Sequence, residues 1–368
     1  MTSPAVVELE SGVEVRQLMN ELLGAAPQWR PELVREERFR SLALAELLIG
    51  ESERFEESSP AKVEELAELA RMMAEELAEG PRIVARSYSL QGNARRMAGD
   101  RQGAEACFRK AAAVVSGTED AIERGFYLQR LAGLREEQGR LEEAAALLWH
   151  AVGLFRGRRA AQAEGACLCR LGFLALREND AERASRLFGQ ARVLLSPELS
   201  PDCPRVLAAR CSLGMALCLA ALGREGAALR LREESRKSGV DDVVPDPRSL
   251  LELDWLEGRL ALALEEHQEA AGRLSSVRRR LFIQRRLLDA ALCSLDLARA
   301  FVAMDQEPRI RDLIDDLRRA FPVSLDQSRA DLALSDYAEA AREGRDLETA
   351  ALESMDLIRR PLAILKKL

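Results

Sequence analysis

The stretch YSLQGNARRMAGDRQGAEACFRKA, residues 88–111, decides the fold of this chain. Near its middle, Gly99 and Asp100 predict a tight turn, because glycine ends a helix by adopting a positive φ without steric cost. After the turn, three residues spaced by four and three positions share one helix face: Ala104, Phe108 and Ala111. Before it, Tyr88 and Gly92 are four positions apart on a first helix. The stretch therefore predicts two helices joined by a short turn.

The same frame returns along the chain at a nearly constant spacing. Its turn residues are Gly99, Gly139, Asn179, Gly223, Glu265, Asp305 and Gly344. The intervals between them are 40, 40, 44, 42, 40 and 39 residues. A fixed period of this length is typical of stacked helix pairs, because one pair cannot bury its apolar face alone.

The spaced positions of residues 88–111 resemble the tetratricopeptide repeat motif, and the resemblance extends over residues 84–345. It implies an all-α fold, an α-solenoid of about seven to eight antiparallel helix pairs in a right-handed superhelix. The tetratricopeptide period is 34 residues, so repeats of about 40 leave an α-solenoid of the HEAT or armadillo kind open. The segments WLEGRLA and LDAALCSLDLA also look like long bacterial tetratricopeptide proteins of regulatory or adaptor type.

Four segments follow from this pattern. They are an N-terminal cap segment (1–35), a divergent first helix pair (36–80), the repeat array (81–345) and a C-terminal capping helix (346–368). Within the cap segment we expect one short helix, Val13–Leu23, held down by Trp29. Proline-containing links at 196–204 and 239–247 are the candidate hinges.

Composition agrees with helices packed on helices. The chain is 47% hydrophobic but only 4% aromatic, because its apolar residues are mostly Ala and Leu. Small and straight-chain residues of this kind favour helices over sheets. The net charge of −7 argues against a general nucleic-acid binder. Seven cysteines without framework spacing predict buried, reduced thiols. With no signal-like or membrane-spanning stretch, the sequence predicts a soluble cytoplasmic protein that does not contact a membrane.

The residues that carry catalysis or bind metals do not form any familiar pattern in this sequence. The two histidines, His150 and His267, lie on different repeats, and neither has Cys, His or carboxylate neighbours at metal-ligand spacing. No nucleophile elbow, phosphate-binding loop or dinucleotide motif is present. The sequence therefore predicts a protein without catalytic residues, cofactor or metal.

The tetratricopeptide resemblance implies that inward positions of the first helices line a concave groove where a partner binds. The positions that it assigns are Arg86, Asn93, Arg96, Gln129, Arg130, Arg170, Phe173, Trp255, Arg259 and Arg299. Because many of these are arginines, we expect another protein or an acidic peptide segment as partner. Ordinary surface ion pairs are the alternative role for each arginine. Of the two-carboxylate clamp of chaperone-binding relatives, Asn93 and Arg170 match, whereas Ser89 and Ala166 replace its lysines, so chaperone tails are not expected.

A second candidate surface is a basic run without acidic residues between 270 and 288. Its arginines include Arg278, Arg279, Arg280, Arg285 and Arg286. Such a run is able to contact nucleic-acid phosphates, or it is a solvated stretch at a helix C-terminus. The sequence thus predicts a non-catalytic interaction scaffold or adaptor. A ligand- or peptide-responsive sensor and an RNA-binding repeat protein are the alternatives, and a homo-oligomer stays open.

Overall fold

The computed structural model describes residues 12–56, 58–117, 120–237, 247–284 and 286–320. In this part of the chain there are sixteen α-helices, two short 3₁₀ turns and no strand. The helices up to the ninth are α1 (Gly12–Gly24), α2 (Arg30–Leu33), α3 (Leu42–Arg54), α4 (Pro60–Ala74), α5 (Pro81–Met97), α6 (Arg101–Val115), α7 (Ala121–Glu137), α8 (Leu141–Gly157) and α9 (Ala161–Arg177). The remainder are α10 (Ala181–Leu194), α11 (Arg205–Ala221), α12 (Glu225–Lys237), α13 (Pro247–Ala263), α14 (His267–Ile283), α15 (Leu287–Ala303) and α16 (Glu307–Ala320).

From α3 onwards the described helices form seven consecutive pairs, and neighbouring helices pack against each other. The all-α fold of helix pairs predicted from the sequence is therefore confirmed. The hand of a superhelix stays a prediction. Gly344 and the capping helix at 346–368 lie outside the described residues.

The predicted turns are confirmed at all six positions that the structure describes. Each turn residue has a positive φ: Gly99 (87°), Gly139 (74°), Asn179 (61°), Gly223 (71°), Glu265 (60°) and Asp305 (54°). In the first of them, the N–H of Asp100 donates to the carbonyl of Arg95, five residues earlier, at 2.9 Å. This 6→1 hydrogen bond is typical of a helix C-terminus that ends in a left-handed residue. Arg159 (φ 56°), between α8 and α9, is a further left-handed residue that the pattern did not predict.

The length of the helices accounts for the 40-residue period. The first helix of every pair from α5 to α15 has 17 residues. The link between α8 and α9 is only three residues, 158–160. In the pair α7–α8 the residues beyond the 34-residue tetratricopeptide period therefore lie mainly in helices, whereas the ten-residue link 195–204 between α10 and α11 contributes most of the excess in the interval of 44.

Aromatic rings of second helices pack directly against glycines of first helices. A Cβ at Gly92 would lie 3.1 Å from the ring of Phe108, which is buried. The ring of Phe188 lies between Gly172 and Gly214, where a Cβ would come within 2.8 and 2.5 Å of it. The rings can approach this closely only because glycine has no Cβ. This explains why glycine, a residue of low helix propensity, occurs inside these helices.

The N-terminal helices differ in part from the prediction. Helix α1 is present, and its Val15 and Leu22 are buried in the core that α3 and α4 share. The expected role of Trp29 is wrong, because this side chain is 56% exposed. Within the segment 36–80, α3 begins at Leu42, where the Ser41 hydroxyl accepts a hydrogen bond from the backbone N–H of Leu44 at 3.3 Å.

The chain divides into two compact units, residues 1–170 and 171–368, and the boundary falls inside α9. Of the two candidate hinges, 196–204 lies inside the second unit, and 239–247 lies outside the described residues except at position 247. No described helix is long and apolar enough to cross a membrane. All seven cysteines are free thiols, and all but Cys203 are buried, as the sequence predicted. Burial raises the pKa of Cys167 and Cys218 to about 12.

Candidate binding surface on the first helices

One face of α5 carries four polar residues at positions that the tetratricopeptide resemblance assigns to a groove. Arg86, Ser89, Asn93 and Arg96 are spaced by three and four residues, so they form a single stripe. The helix packs against α3 on one side and α7 on the other. The stripe therefore faces polar residues contributed by the pairs before and after it.

The centre of this surface is a carboxylate held by two of the predicted residues. Arg130 Nε donates to Glu56 Oε1 at 2.7 Å, and Arg130 Nη2 donates to Glu56 Oε2 at 2.9 Å. Asn93 Nδ2 donates to the same Oε1 at 2.8 Å. Arg130 Nη2 also reaches Glu53 Oε1 at 3.2 Å. The guanidinium of Arg130 on α7 and the amide of Asn93 on α5 thus bind both oxygens of the Glu56 carboxylate between them.

Arg86 completes this part of the surface. Its Nε and Nη2 donate to the two carboxylate oxygens of Glu53 at 3.0 and 2.6 Å. Its Nη1 lies 3.3 Å from Glu123 Oε1. Arg86 therefore connects the end of α3 with the start of α7.

Two guanidinium groups approach each other over Gly133. A Cβ there would lie 3.4 Å from Arg96 Nε and 3.4 Å from Arg170 Nη2. Arg96 Nε donates to Asn93 Oδ1 at 2.9 Å, and its Nη1 pairs with Glu137. Arg170 donates to the carbonyl oxygen of Gln129 at 2.6 Å and to Glu136 Oε1 at 2.6 Å. Both guanidinium groups therefore lie within van der Waals distance of this position on α7.

We call these ten residues the first-helix network: Glu53, Glu56, Arg86, Asn93, Arg96, Glu123, Arg130, Glu136, Glu137 and Arg170. It brings together five of the predicted partner-binding residues, and the sixth in this unit, Gln129, contributes its carbonyl oxygen. All four of its arginines pair with glutamates, of which there are five.

The sequence argument counted these arginines and missed the glutamates. A signal was present, because the partners are separated by one repeat or by about two helical turns less: 41 residues for Arg96 and Glu137, 34 for Arg170 and Glu136, and 33 for Arg86 and Glu53. Opposite charges one period apart on first helices become neighbours once the pairs stack.

The network shifts the pKa of two glutamates in opposite directions. Burial opposes ionisation of Glu56, but the charge and hydrogen bonds of Arg130, together with the charge of Arg96 and the hydrogen bond from Asn93, outweigh it, so the pKa of Glu56 is lowered. Burial raises the pKa of Glu123, and attraction to Arg86 offsets only part of that effect. At this surface two buried side-chain atoms, Arg130 Nη1 and Ser89 Oγ, have no hydrogen-bond partner among the described residues.

In the second unit the predicted residues form smaller groups. Trp255 Nε1 donates to Asp296 Oδ2 at 2.9 Å, and Arg259 Nε lies 3.8 Å from the same oxygen. Phe173 packs edge-on against Phe188, with ring centroids 5.0 Å apart. Arg299 is exposed.

The basic run between 270 and 288 is largely paired with acidic residues. Arg278 Nη2 lies 2.6 Å from Asp316, Arg280 Nη1 lies 2.8 Å from Asp254, and Arg286 Nε lies 2.8 Å from Asp289. Arg279 is exposed, and Arg285 lies outside the described residues. These pairs reduce the positive charge that this surface presents to a phosphate.

Comparisons with known proteins show likeness at the level of the fold. No family model matches the sequence. No curated protein matches it either. Among solved structures, a Rap protein complexed with competence and sporulation factor aligns with a TM-score of 0.62 at 10% identity, over 87% of this chain and 88% of that one. Aspartyl phosphate phosphatase F from Bacillus subtilis aligns with a TM-score of 0.53 at 13% identity, over 96% of both chains. At these identities the likeness shows the fold alone, and it supports the tetratricopeptide-like repeat that the sequence resembles.

Proposed function

We propose that this chain is a non-catalytic scaffold or adaptor that binds an acidic peptide or protein segment on the faces of its first helices. The observation that carries the proposal is the first-helix network, in which inward positions of α5, α7 and α9 lie together in one unit. Its donors already hold the carboxylate of Glu56 by three hydrogen bonds, which is the chemistry that an acidic side chain or a C-terminus requires. Within the described residues there is no group of three or more His, Cys, Asp or Glu side chains placed to hold a metal.

A peptide-responsive regulator is the second candidate. The Rap protein of similar fold was crystallised with competence and sporulation factor, so this architecture accommodates a bound factor in that protein. The second protein of similar fold is an aspartyl phosphate phosphatase, and we do not extend that activity to this chain. A bacterial cytoplasmic location, the contributions of Trp255, Arg259 and Arg299, and self-association stay predictions.

The proposal is tested with a random-peptide display library selected on the purified chain, followed by calorimetric measurement of Kd. We expect acidic peptides to be enriched. Arg170→Glu is the informative variant, because this side chain is partly exposed and reaches the network from α9. We expect it to weaken binding by roughly tenfold or more, about 1.4 kcal/mol.

The matched control is Arg158→Glu, the same charge reversal at an exposed position next to α8. It should leave Kd unchanged. A selection that enriches no peptide contradicts the proposed function. Equal affinity of wild type and Arg170→Glu moves the binding site away from the first-helix network.

A further inference from the structure

We propose that Glu56 is a built-in substitute for an acidic residue of the partner, and that it must leave Arg130 and Asn93 before the partner binds. This inference rests on the proposed function and adds a regulatory step to the same site. Arg130 and Asn93, which we expect to bind an acidic ligand, already bind the carboxylate of Glu56 from the same chain.

The position between Arg130 and Asn93 favours a carboxylate. The Arg130 side chain is only 8% exposed, and a guanidinium does not lose its proton at neutral pH. A buried cation without a counter-ion is strongly unfavourable. If Glu56 leaves, Glu53 remains near Arg130 Nη2 at 3.2 Å, but Arg130 Nε loses its acceptor, so a ligand carboxylate that takes the place of Glu56 is favoured.

Glu56 is the glutamate of the network that is free to exchange at least cost to the fold. Helix α3 ends at Arg54 and α4 begins at Pro60, so Glu56 lies in the turn between them. By contrast, Glu53 and Glu123 lie inside helices α3 and α7. The neighbour of Glu56, Phe55, packs against the core and lies under Lys62 Nζ, 3.5 Å from its ring centroid. The turn is thus anchored at Phe55, and the Glu56 side chain is able to rotate out without unwinding a helix.

A partner would gain hydrogen bonds that Glu56 does not make. Glu56 accepts from Nε and Nη2 of Arg130 and leaves the buried Nη1 without a partner. The buried hydroxyl of Ser89, one turn before Asn93 on the same face of α5, also has no partner among the described residues. An unmade hydrogen bond at a buried polar atom is unfavourable. A segment that brings a carboxylate together with a backbone carbonyl would satisfy both atoms, which favours exchange.

The first experiment tests the carboxylate position without any peptide. Thermal unfolding of wild type and Glu56→Ala is measured in sodium formate and in sodium chloride of equal ionic strength. Formate fills the position that the removed carboxylate vacates, so we expect it to raise the Tm of Glu56→Ala by several degrees over chloride, and to leave wild type unchanged. The matched control is Glu64→Ala, which removes the partner of Arg95 in an exposed ion pair, and formate should not stabilise it selectively. Equal effects of formate on all three proteins would overturn the inference.

The second experiment tests competition with the display-selected acidic peptides. Glu56→Gln keeps the size of the side chain and removes its charge, so it serves even where Glu56→Ala folds poorly. We expect the peptides to bind Glu56→Gln several-fold more tightly than wild type, because no internal carboxylate competes. In the wild type, peptide binding should also speed backbone hydrogen exchange in the turn at 55–59.

The outcomes separate the two proposals. Peptides that bind wild type and Glu56→Gln equally, with unchanged exchange at 55–59, contradict the exchange of Glu56 but leave the proposed function standing. If no peptide is selected, the proposed function fails, and the formate experiment still decides whether the position accepts an external carboxylate.

Discussion

At the scale of single residues, Arg130 determines how the first unit is held together. It lies on the first helix of one pair and binds Glu56, which is 74 residues earlier in the chain. Asn93, from the helix between them, binds the same carboxylate. The sequence pattern placed Arg130 and Asn93 at inward positions, but it could not find Glu56, because nothing local marks a turn glutamate as the partner of a distant arginine.

Removal of Arg130 should be more costly than removal of an exposed arginine. Arg130→Ala removes two of the three donors that hold the partly exposed Glu56 carboxylate and leaves it only the Asn93 amide and the charge of Arg96, so we expect a loss of about 1.5–3 kcal/mol in the free energy of unfolding. The control is Arg95→Ala, whose ion pair with Glu64 is partly exposed and should cost no more than about 1 kcal/mol. Urea denaturation measures both. Equal losses would show that the Arg130 pair contributes nothing beyond a surface contact.

The two shifted glutamates predict opposite pH dependence. The pKa of Glu56 is lowered from 4.5, so its stabilising contribution is complete above that value and is lost as the pH falls towards the folded-state pKa. Substitution by Gln should therefore cost less stability at acid pH than at neutral pH.

The pKa of Glu123 is raised from 4.5, so the native state holds its proton more tightly than the unfolded state does. Stability is then lost as the pH rises from 4.5 through the raised pKa. Glu123→Gln should become more stable relative to wild type across this window. Urea denaturation at several pH values measures both variants, and the same sign of change for the two would contradict the assignment.

At the scale of helices, local chemistry in the sequence was sufficient to place the turns. Gly99, Gly139 and Asn179 are the residue types that accept a left-handed conformation, and each has a positive φ. Asp305 is also a residue type enriched in that conformation, whereas Glu265 was placed by the period alone. Arg159 was missed because it falls in a link, where the pattern carries no turn signal.

The glycine contacts between paired helices predict a specific packing defect. In Gly172→Ala the new Cβ would lie 2.8 Å from the buried ring of Phe188, so we expect a loss of about 1–3 kcal/mol from overpacking. Gly189 offers the matched control on α10, because a Cβ there meets nothing within 4 Å, and its replacement by Ala should stabilise the helix by about 1 kcal/mol.

Thermal or urea unfolding of the glycine variants measures these changes. Adding Phe188→Leu to Gly172→Ala should recover part of the loss, because the smaller side chain makes room for the methyl group. A destabilising Gly189→Ala, or a harmless Gly172→Ala, would contradict this description of the contact.

At the scale of the whole chain, periodicity revealed the series of helix pairs but not its division into two units. The prolines at 196–204 suggested a hinge, whereas the boundary falls inside α9, which no break in the sequence marks. The division into units depends on contacts between residues that are far apart in the sequence, and such contacts leave no local signal. The contact of Glu56 with Arg130 escaped prediction for the same reason.

Small-angle scattering with and without a selected peptide separates the two candidate functions. A scaffold binds without a change in shape, so its profile at saturation should match that of the free chain apart from the added mass. A ligand-responsive regulator should show a change in radius of gyration. A clear change at saturation would favour the regulator over the scaffold proposed here.

The most direct test of binding at the first-helix network is a double-mutant cycle between Arg170 and the acidic residue of a selected peptide. Calorimetry gives Kd for wild type and Arg170→Gln with the acidic peptide and with its amide counterpart. If the two groups are in contact, we predict a coupling free energy of about 1 kcal/mol or more. Additive effects, with no coupling for any acidic position of any selected peptide, would contradict binding at this surface.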